Sequence, residues 1–214
     1  MVVNKGMKDL NGHSRTPSWA QSKSFFEARY RESTDPWRFA SSQYELGRYD
    51  ATLAALRKPT YRLAYEPGCS VGVLTAALAV RCRQILACDI SAEAVSLARA
   101  RCKDFAHVKI IQRDLAGTQR APADAQPEEA FDLIILSEVG YYFSAPTLRR
   151  VALELARRLE PGGEFLAVHW LGHSADHVLH GDEVHAVLAA ELPCLWTGGS
   201  AHPGFRIDSW RRPA

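Results

Sequence analysis

A glycine-containing turn followed by a carboxylate is the pattern in this chain that most directly indicates chemistry. The turn has the sequence EPGCSVG at 66–72 and separates a predicted strand from a predicted helix. Gly68 allows a ligand to approach the backbone closely, and the first turn of the helix offers free N–H groups. Asp89 ends the next apolar run, where its carboxylate can accept hydrogen bonds from both hydroxyls of a ribose. Because Ser70 stands where a dinucleotide site has its second glycine, the pattern favours a nucleotide-type cofactor without a pyrophosphate.

The same turn also fits two other interpretations. The segment GCSVG at 68–72 matches the G-x-S-x-G nucleophile elbow of serine hydrolases, in which Ser70 would be the nucleophile. Asp132 and then His169 or His202 follow in the order that such a triad requires. The turn follows the first predicted strand, however, so no earlier strand and loop precede it to form the oxyanion hole of that fold. A ligand-binding module that has kept the turn without catalysis is the third interpretation.

Several histidines crowd one part of the chain: His169, His173, His177, His180 and His185. The first three are spaced four residues apart and could form a metal-binding face on a helix. His169, however, lies in a strand-like run, and Gly172 interrupts the helical spacing. We therefore expect a polar loop and no metal, with His169 directed towards the site from the end of its strand.

Length and composition limit the classes of protein to consider. The 214 residues are 47% hydrophobic and 23% charged, which is typical of one globular domain. Lys plus Arg total 26 and Asp plus Glu total 24, and a net charge of +2 disfavours a nucleic-acid-binding protein. No apolar run approaches the roughly 20 residues of a transmembrane helix, and 1–17 lacks the apolar centre of a secretory signal. The five cysteines show no CxxC spacing, which favours free thiols and a cytoplasmic protein.

The elements that must position these residues follow from the alternation of apolar runs with helical spacing. Two helices are predicted first, at 18–31 and 42–56, separated by a break at Asp35-Pro36-Trp37. Predicted strands and helices then alternate, at 62–66, 71–81, 84–89, 92–102, 108–112, 131–137, 145–159, 164–170 and 182–191. A loop at 117–129 interrupts them. Two short runs that flank the turn-like segments TGGS at 197–200 and HPG at 202–204 are interpreted as a closing pair of strands. This order predicts an α/β fold with a doubly wound, mostly parallel sheet.

Five short motifs in this order resemble those of the class I S-adenosylmethionine-dependent methyltransferases. They are EPGCSVG at 66–72, CDIS at 88–91, QRDL at 112–115, FDLIILSE at 131–138 and LEPGG at 159–163. The flanking segments resemble the nodulation protein S family more closely, through Asp35-Pro36-Trp37, Tyr44-Glu45, Arg48-Tyr49 and GFRID at 204–208. The resemblance implies a seven-stranded Rossmann-like sheet, an N-terminal leader and helical cap at 1–58, and a cofactor-binding domain at 59–214.

The resemblance also implies an activity. The cofactor would be S-adenosyl-L-methionine, the product S-adenosyl-L-homocysteine, and no metal would take part. The acceptor would be a small molecule or oligosaccharide, in this family the free amine of a deacetylated chitooligosaccharide in Nod-factor biosynthesis. A methyltransferase for another small-molecule amine remains the alternative.

The site residues expected from the resemblance fall into two groups. Those expected to contact the cofactor are Trp37, Tyr44, Arg48, Glu66, Gly68, Asp89, Ile90, Asp114, Leu115 and Ser137. Arg48 would clamp the methionine carboxylate, although Trp37, Tyr44 and Arg48 could equally serve to pack the N-terminal helices on the sheet.

The second group concerns the proton that a sugar amine must lose to expose its lone pair. Glu138, directly after the fourth predicted strand, is the first candidate to accept it, and Tyr142 and His169 are the others. The alternative is that the protein supplies no base, because an amine with a pKa near neutrality is already partly unprotonated and burial lowers that pKa further.

Overall fold

The computed structural model describes residues 22–117 and 130–214. The predicted leader, the first residues of the helix predicted at 18–31 and nearly all of the loop predicted at 117–129 lie outside the described residues. The helices are α1 (Lys23–Glu32), α2 (Gln43–Ala55), α3 (Val73–Leu78), α4 (Ala92–Arg101), α5 (Ala145–Arg158) and α6 (Gly181–Glu191). The strands are β1 (Ala64–Pro67), β2 (Ile85–Asp89), β3 (Val108–Gln112), β4 (Phe131–Ser137), β5 (Leu159–Trp170), β6 (Leu195–His202) and β7 (Phe205–Arg211).

The described strands form one seven-stranded sheet in the order β3-β2-β1-β4-β5-β7-β6. Strands β1 to β5 pair in parallel, whereas β7 runs antiparallel to β5 and β6 antiparallel to β7. The order reverses between β1 and β4, and ligands of such sheets bind beyond the carboxyl ends of the strands at this switch point. The predicted doubly wound α/β fold is confirmed.

Alternating side chains of β4 build the core on both faces of the sheet. Ile134 and Leu136 pack in one buried apolar cluster, and Leu133 and Ile135 pack in the other. Successive residues of a strand point to opposite faces, so a strand covered on both faces needs an unbroken apolar run. The unbroken apolar run at 133–136 is therefore what predicts a strand covered on both faces.

Two predicted turns are found inside strands. The segment at 197–200 lies within β6, where the register shifts between Trp196 and Gly198, and the chain reverses at 203–204 instead. Gly198 has a φ of +147° at this irregularity, which is why a glycine pair here marks a bulged edge strand. The segment LEPGG at 159–163 likewise forms the irregular first part of β5, since Leu159 already pairs with Phe131.

Two further structural features bear on the expectations from composition. All five cysteines are free thiols, and Cys194 is the one that is partly exposed. Among the described residues, no helix combines the length and hydropathy that crossing a membrane requires.

Candidate active site

A cavity of about 710 Å³ lies beyond the carboxyl ends of β1, β2 and β4. We call it the larger lobe; its aromatic walls are Phe26, Tyr30, Trp37, Phe39, Tyr142 and Phe143. A second cavity of about 310 Å³, the smaller lobe, shares Phe39, Gly68, Ser70 and Glu138 with it. Its polar lining includes Arg48, Glu66 and Ser137. The two lobes therefore adjoin each other along the carboxyl edge of the sheet.

The glycine turn after β1 forms the floor between the two lobes. Gly68 has a φ of +75°, and a Cβ atom there would lie 2.0 Å from Val139 Cγ2. Glycine is therefore required both by the backbone conformation and by the loop that follows β4. Ser70 also has a positive φ, of +49°, and its hydroxyl lies 2.5 Å from the Tyr30 hydroxyl. Helix α1 is thus attached directly to the turn.

Asp89 lies at the end of β2 and lines the larger lobe, as predicted. One carboxylate oxygen accepts a hydrogen bond from the Ser70 N–H at 2.9 Å, and the other accepts one from the Ser91 N–H at 3.0 Å. Burial raises the pKa of Asp89 to about 6, although these backbone hydrogen bonds oppose the shift. These backbone donors fix the orientation of the carboxylate, which remains on the lining of the lobe and can accept a further hydrogen bond from a diol.

The remaining residues predicted around the nucleoside also face the larger lobe. Ile90, Asp114 and Leu115 line it, and Trp37 lies across it from them on the N-terminal segment. The Asp114 carboxylate accepts a hydrogen bond from the Ala116 N–H at 2.8 Å, which orders the chain after β3.

The smaller lobe contains a buried carboxyl group, that of Glu66, and a buried cation, that of Arg48. The Glu66 carboxylate accepts a hydrogen bond from the Thr75 hydroxyl at 2.6 Å, and burial raises its pKa to about 8. The Arg48 guanidinium pairs with Glu45 and Glu138, yet its buried Nε has no hydrogen-bond partner among the described residues. An unpaired buried N–H is costly, so this donor fits an anionic ligand group.

Glu138 joins the two lobes in a conformation that few residues other than glycine adopt. Its φ is +58°, and its side chain turns back to accept hydrogen bonds from the Trp170 N–H at 2.7 Å and the Tyr141 hydroxyl at 2.8 Å. The same carboxylate pairs with Arg48. A carboxylate engaged by three donors is a strong anchor for Arg48 and keeps little free acceptor capacity for a further partner.

Tyr142 lines the larger lobe, where its ring meets Phe26 edge-on at a centroid distance of 5.0 Å. Burial raises the pKa of its hydroxyl well above 10. The side chain is therefore a neutral phenol at physiological pH, able to hold an acceptor by a hydrogen bond but unsuited to removing a proton from it.

Two predicted site residues do not reach either lobe. His169 is fully buried in β5, where its Nε2 accepts a hydrogen bond from the Gly140 N–H at 3.1 Å and its Nδ1 contacts His185 at 3.2 Å. Burial lowers its pKa well below the usual value. Tyr44 is 39% exposed, packs edge-on against Phe205 and lines neither lobe. The motifs specify neither the face of β5 that His169 occupies nor how far α2 extends past the smaller lobe.

The serine hydrolase interpretation fails on geometry. Asp132 lies at the opposite end of the sheet, where its carboxylate accepts hydrogen bonds from the Arg62 and Leu63 N–H groups. His202 stacks on Phe205 and contacts Ser200, whereas His169 is enclosed in the core. Neither histidine can serve Ser70, so no catalytic triad is assembled.

The histidine-rich segment does not form a shared face. His177 stacks on Tyr141 at 3.7 Å, and His173 lies against His180 at 4.9 Å, while His169 belongs to the core. In the parts of the chain that the structure describes, no three His, Cys, Asp or Glu side chains are grouped as metal ligands.

The aromatic wall contributed by α1 was not among the predicted site residues. Phe26 and Tyr30 line the larger lobe together with Phe39. Their spacing of four residues on α1 was visible in the sequence as a helical apolar face, but such a face is equally typical of packing. The hydrogen bond from Tyr30 to Ser70 depends on how α1 docks, which no local pattern specifies.

Comparison with known proteins agrees with this geometry. The family model described as "Nodulation protein S (NodS)" matches residues 20–180. The chain belongs to the nodulation protein S family. Within that family, it is 30% identical to nodulation protein S of Rhizobium tropici over 167 residues, which are 74% of this chain and 66% of that protein. It is 29% identical to the Sinorhizobium fredii protein over 134 residues, 62% of this chain and 59% of its relative.

The chain therefore spans less than two thirds of the length of these curated relatives of the nodulation protein S family. The fold is also that of a solved structure, the N-methyltransferase NodS from Bradyrhizobium japonicum WM9 in complex with S-adenosyl-L-homocysteine. The two chains are 22% identical and superpose with a TM-score of 0.76. The alignment covers 90% of this chain and 99% of the solved chain. The predicted family and the seven-stranded fold are confirmed.

Proposed function

We propose that this protein is an S-adenosylmethionine-dependent N-methyltransferase whose acceptor is the free amine of a deacetylated chitooligosaccharide. The observation that carries the proposal is the placement of Asp89 in one lobe and of Arg48 and Glu66 in the adjoining lobe. These groups match a ligand with a ribose diol at one part and an amino acid at the other. Membership of the nodulation protein S family and the likeness to an N-methyltransferase fold support it.

The residues present fit S-adenosylmethionine end to end. Asp89 would hold the ribose hydroxyls, and Ile90, Asp114 and Leu115 would surround the adenine. The unpaired Nε of Arg48 would bind the carboxylate of the methionine part, and Glu66 would bind its ammonium group. When bound, the cofactor supplies a methyl group activated by a sulfonium.

The protein's own contribution to the reaction is alignment and exclusion of water. The aromatic walls of the larger lobe shield the reacting atoms, and Glu138 holds Arg48 in place. Correct alignment of two reactants can contribute ~7–11 kcal/mol to lowering a barrier.

None of the three side chains expected to take the acceptor's proton is suited to do so. His169 is enclosed, Tyr142 is a neutral phenol and Glu138 is already engaged by three donors. The acceptor therefore enters as a free amine, and its own titration governs the dependence of the rate on pH.

We also propose that the reaction takes place in the cytoplasm and involves no nucleic acid. In this proposal, residues 1–58 form an N-terminal leader and a helical cap, or lid, and residues 59–214 form the cofactor-binding domain.

The test is methyl transfer from S-adenosylmethionine labelled with ¹³C at the methyl group. The acceptor is a chitooligosaccharide with one free terminal amine, and the fully N-acetylated oligomer of the same length is the matched control. We expect an N-linked ¹³C-methyl signal with the free amine alone. Absence of transfer to any amino sugar, in a protein that binds the cofactor, would exclude the acceptor; transfer to another small amine would identify the alternative.

A further inference from the structure

A buried chain of hydrogen bonds connects the antiparallel strand β7 with the loop that follows β4. The Asp208 carboxylate on β7 lies 2.6 Å from His185 Nδ1 on α6. His185 Nε2 lies 3.2 Å from His169 Nδ1 on β5, and His169 Nε2 lies 3.1 Å from the Gly140 backbone nitrogen. All three side chains are at most 3% exposed. The chain thus spans four elements without contact with water.

The direction of every bond in this chain follows from its two ends. A backbone N–H can only donate, so His169 Nε2 accepts from Gly140. Burial lowers the pKa of His169 well below its usual value, which keeps the ring neutral with its proton on Nδ1. That proton is donated to His185 Nε2, which leaves the proton of His185 on Nδ1, where it is donated to Asp208. Both imidazoles are therefore held in the Nδ1–H tautomer.

The surroundings of Asp208 keep its carboxylate an acceptor, which sets the direction of the hydrogen bonds along the chain. Besides His185, its carboxylate accepts hydrogen bonds from the Trp196 Nε1–H at 3.1 Å and the Arg206 Nε–H at 2.6 Å. Hydrogen bonds from His185, Arg206 and Trp196 lower the pKa of Asp208 despite its burial. An ionised carboxylate has no proton to give, so the first imidazole must donate to it.

The other end of the chain of hydrogen bonds is the 3₁₀ turn Gly140–Tyr142. A Cβ atom on Gly140 would lie 2.4 Å from Val184 Cγ1 and 2.8 Å from His169 Nε2, so the turn is pressed against α6 and β5. Glu138 and Tyr142, on either side of Gly140, both line the larger lobe. A shift of Gly140 would therefore move two walls of the site.

We propose that Asp208 and His185 are positioning residues that fix the tautomer of His169 and thereby hold Glu138 and Tyr142 in the wall of the active site. With the opposite tautomer, the Nε2–H of His169 would face the Gly140 N–H, and two donors would oppose each other in the core. The consequence for the reaction rate rests on the proposed function, whereas the tautomers and the hold on Gly140 do not.

The first test is long-range ¹H–¹⁵N correlation spectroscopy of the histidine rings in the wild-type protein, which reports the protonated nitrogen of each ring. We expect the Nδ1–H tautomer for His169 and His185. His107 and His180 are internal references for the opposite tautomer, because their Nε2 atoms contact the Ala79 and Leu171 carbonyl oxygens, which can only accept. An Nε2–H signal from His169 would overturn the proposal.

The second test compares His185→Gln with His185→Phe. Glutamine can still accept from His169 and donate to Asp208, whereas phenylalanine fills the space and can do neither. We expect faster hydrogen exchange of the Gly140 amide and loss of a single His169 tautomer in His185→Phe, with both readouts near wild type in His185→Gln. In the methylation assay, kcat should fall about 10-fold in the Phe variant alone, because small misplacements slow aligned reactions, with the KM for cofactor within a few-fold of wild type.

Equal effects of the two substitutions on Gly140 exchange would show that His185 acts through packing, and would overturn the proposal. A wild-type protein with the expected tautomers but no methylation would instead refute the proposed function. The wild-type tautomers decide the outcome even if His185→Phe fails to fold.

Discussion

Two buried carboxylates beside the cavity, Glu66 and Asp89, give the stability of the protein a characteristic dependence on pH. Burial raises the pKa of Glu66 to about 8 and that of Asp89 to about 6. Between pH ~4, where these groups titrate in the unfolded chain, and those values, the native state keeps protons that the unfolded state has released. The contribution of these two groups to stability is therefore fully present below pH ~4. It is lost as the pH rises to about 6 for Asp89 and to about 8 for Glu66.

Replacing Glu66 by glutamine should remove the larger part of this dependence. Since glutamine cannot ionise, the stability of Glu66→Gln relative to wild type should rise between pH 5 and pH 8 by at least ~1 kcal/mol. In thermal unfolding of a chain this size, that is a rise in Tm of roughly 2–4 °C. A Tm difference between the two proteins that stays constant from pH 5 to 8.5 would contradict the assignment of a raised pKa to Glu66.

Asp89 should matter more for cofactor affinity than for folding. In Asp89→Ala the ribose hydroxyls lose a charged acceptor, which should weaken binding of S-adenosylhomocysteine by ~1.5–3 kcal/mol. Asp104→Ala is the matched control, since that carboxylate is exposed and outside both lobes. Unchanged affinity in a folded Asp89→Ala protein, measured by calorimetry, would remove Asp89 from the site.

Among single residues, those at the carboxyl ends of parallel strands could be predicted from the sequence. Those whose place in the site depends on how a strand or helix is oriented could not. Glu66, Gly68 and Asp89 follow from motif spacing, because the carboxyl ends of β1 and β2 meet at one edge of the sheet. His169 also ends a strand, but strand register decides which face it occupies. Tyr44 and Arg48 lie one turn apart on α2, yet only Arg48 reaches the smaller lobe.

Helix α1 is hydrogen-bonded to two of the segments proposed to bind the cofactor. Its Tyr30 hydroxyl contacts Ser70 at 2.5 Å, and its Glu27 carboxylate accepts hydrogen bonds from the Ser91 hydroxyl at 3.2 Å and the Ala92 N–H at 2.8 Å. It is thus attached both to the glycine turn and to the start of α4, just after Asp89. This attachment supports the proposal that the N-terminal segment is a lid.

A double-mutant cycle tests whether α1 docks in this way. Tyr30→Phe and Ser70→Ala each remove one partner of the same hydrogen bond, so their effects on the free energy of unfolding should be coupled by ~0.5–1.5 kcal/mol. Tyr30→Phe combined with Ser144→Ala is the control and should be additive, because Ser144 bonds to Thr147 elsewhere. Additivity of the first pair in denaturant unfolding would mean that α1 does not hold the turn. Ser70→Ala should also retain methylation within a few-fold.

The order and type of the elements could be predicted because apolar runs and helical spacing alternate so regularly. The ends of the elements could not be predicted where glycine is used inside a strand. Gly198 and Gly162 both adopt positive φ values within strands, at +147° and +76°, and both were interpreted as turn residues. Gly198 pairs with Ser209 of β7, and the Gly162 N–H donates to the Arg212 carbonyl, so hydrogen bonds to other parts of the chain override the local preference at both positions.

At the scale of the whole molecule, the cavity lies where the strand order of the sheet reverses. Strands β1 and β4 lie side by side with their helices on opposite faces, so the turn at Gly68 and the loop at Glu138 meet over one cavity. The buried chain from Asp208 connects this arrangement to the antiparallel strand β7. The fold thus brings the proposed ligand-binding residues to this end of the sheet, and their chemistry determines which ligand is accepted.

The central claim is that this end of the sheet binds S-adenosylmethionine, and calorimetric titration of the wild-type protein with S-adenosylhomocysteine tests it most directly. ATP serves as the comparison ligand. It shares the adenosine but carries phosphates in place of the amino acid that Glu66 and Arg48 are proposed to bind. The account predicts saturable binding of S-adenosylhomocysteine at one site per chain, with ATP at least ~100-fold weaker, a difference of about 2.7 kcal/mol. Binding of ATP as tight as that of S-adenosylhomocysteine, or no binding of S-adenosylhomocysteine at all, would contradict it.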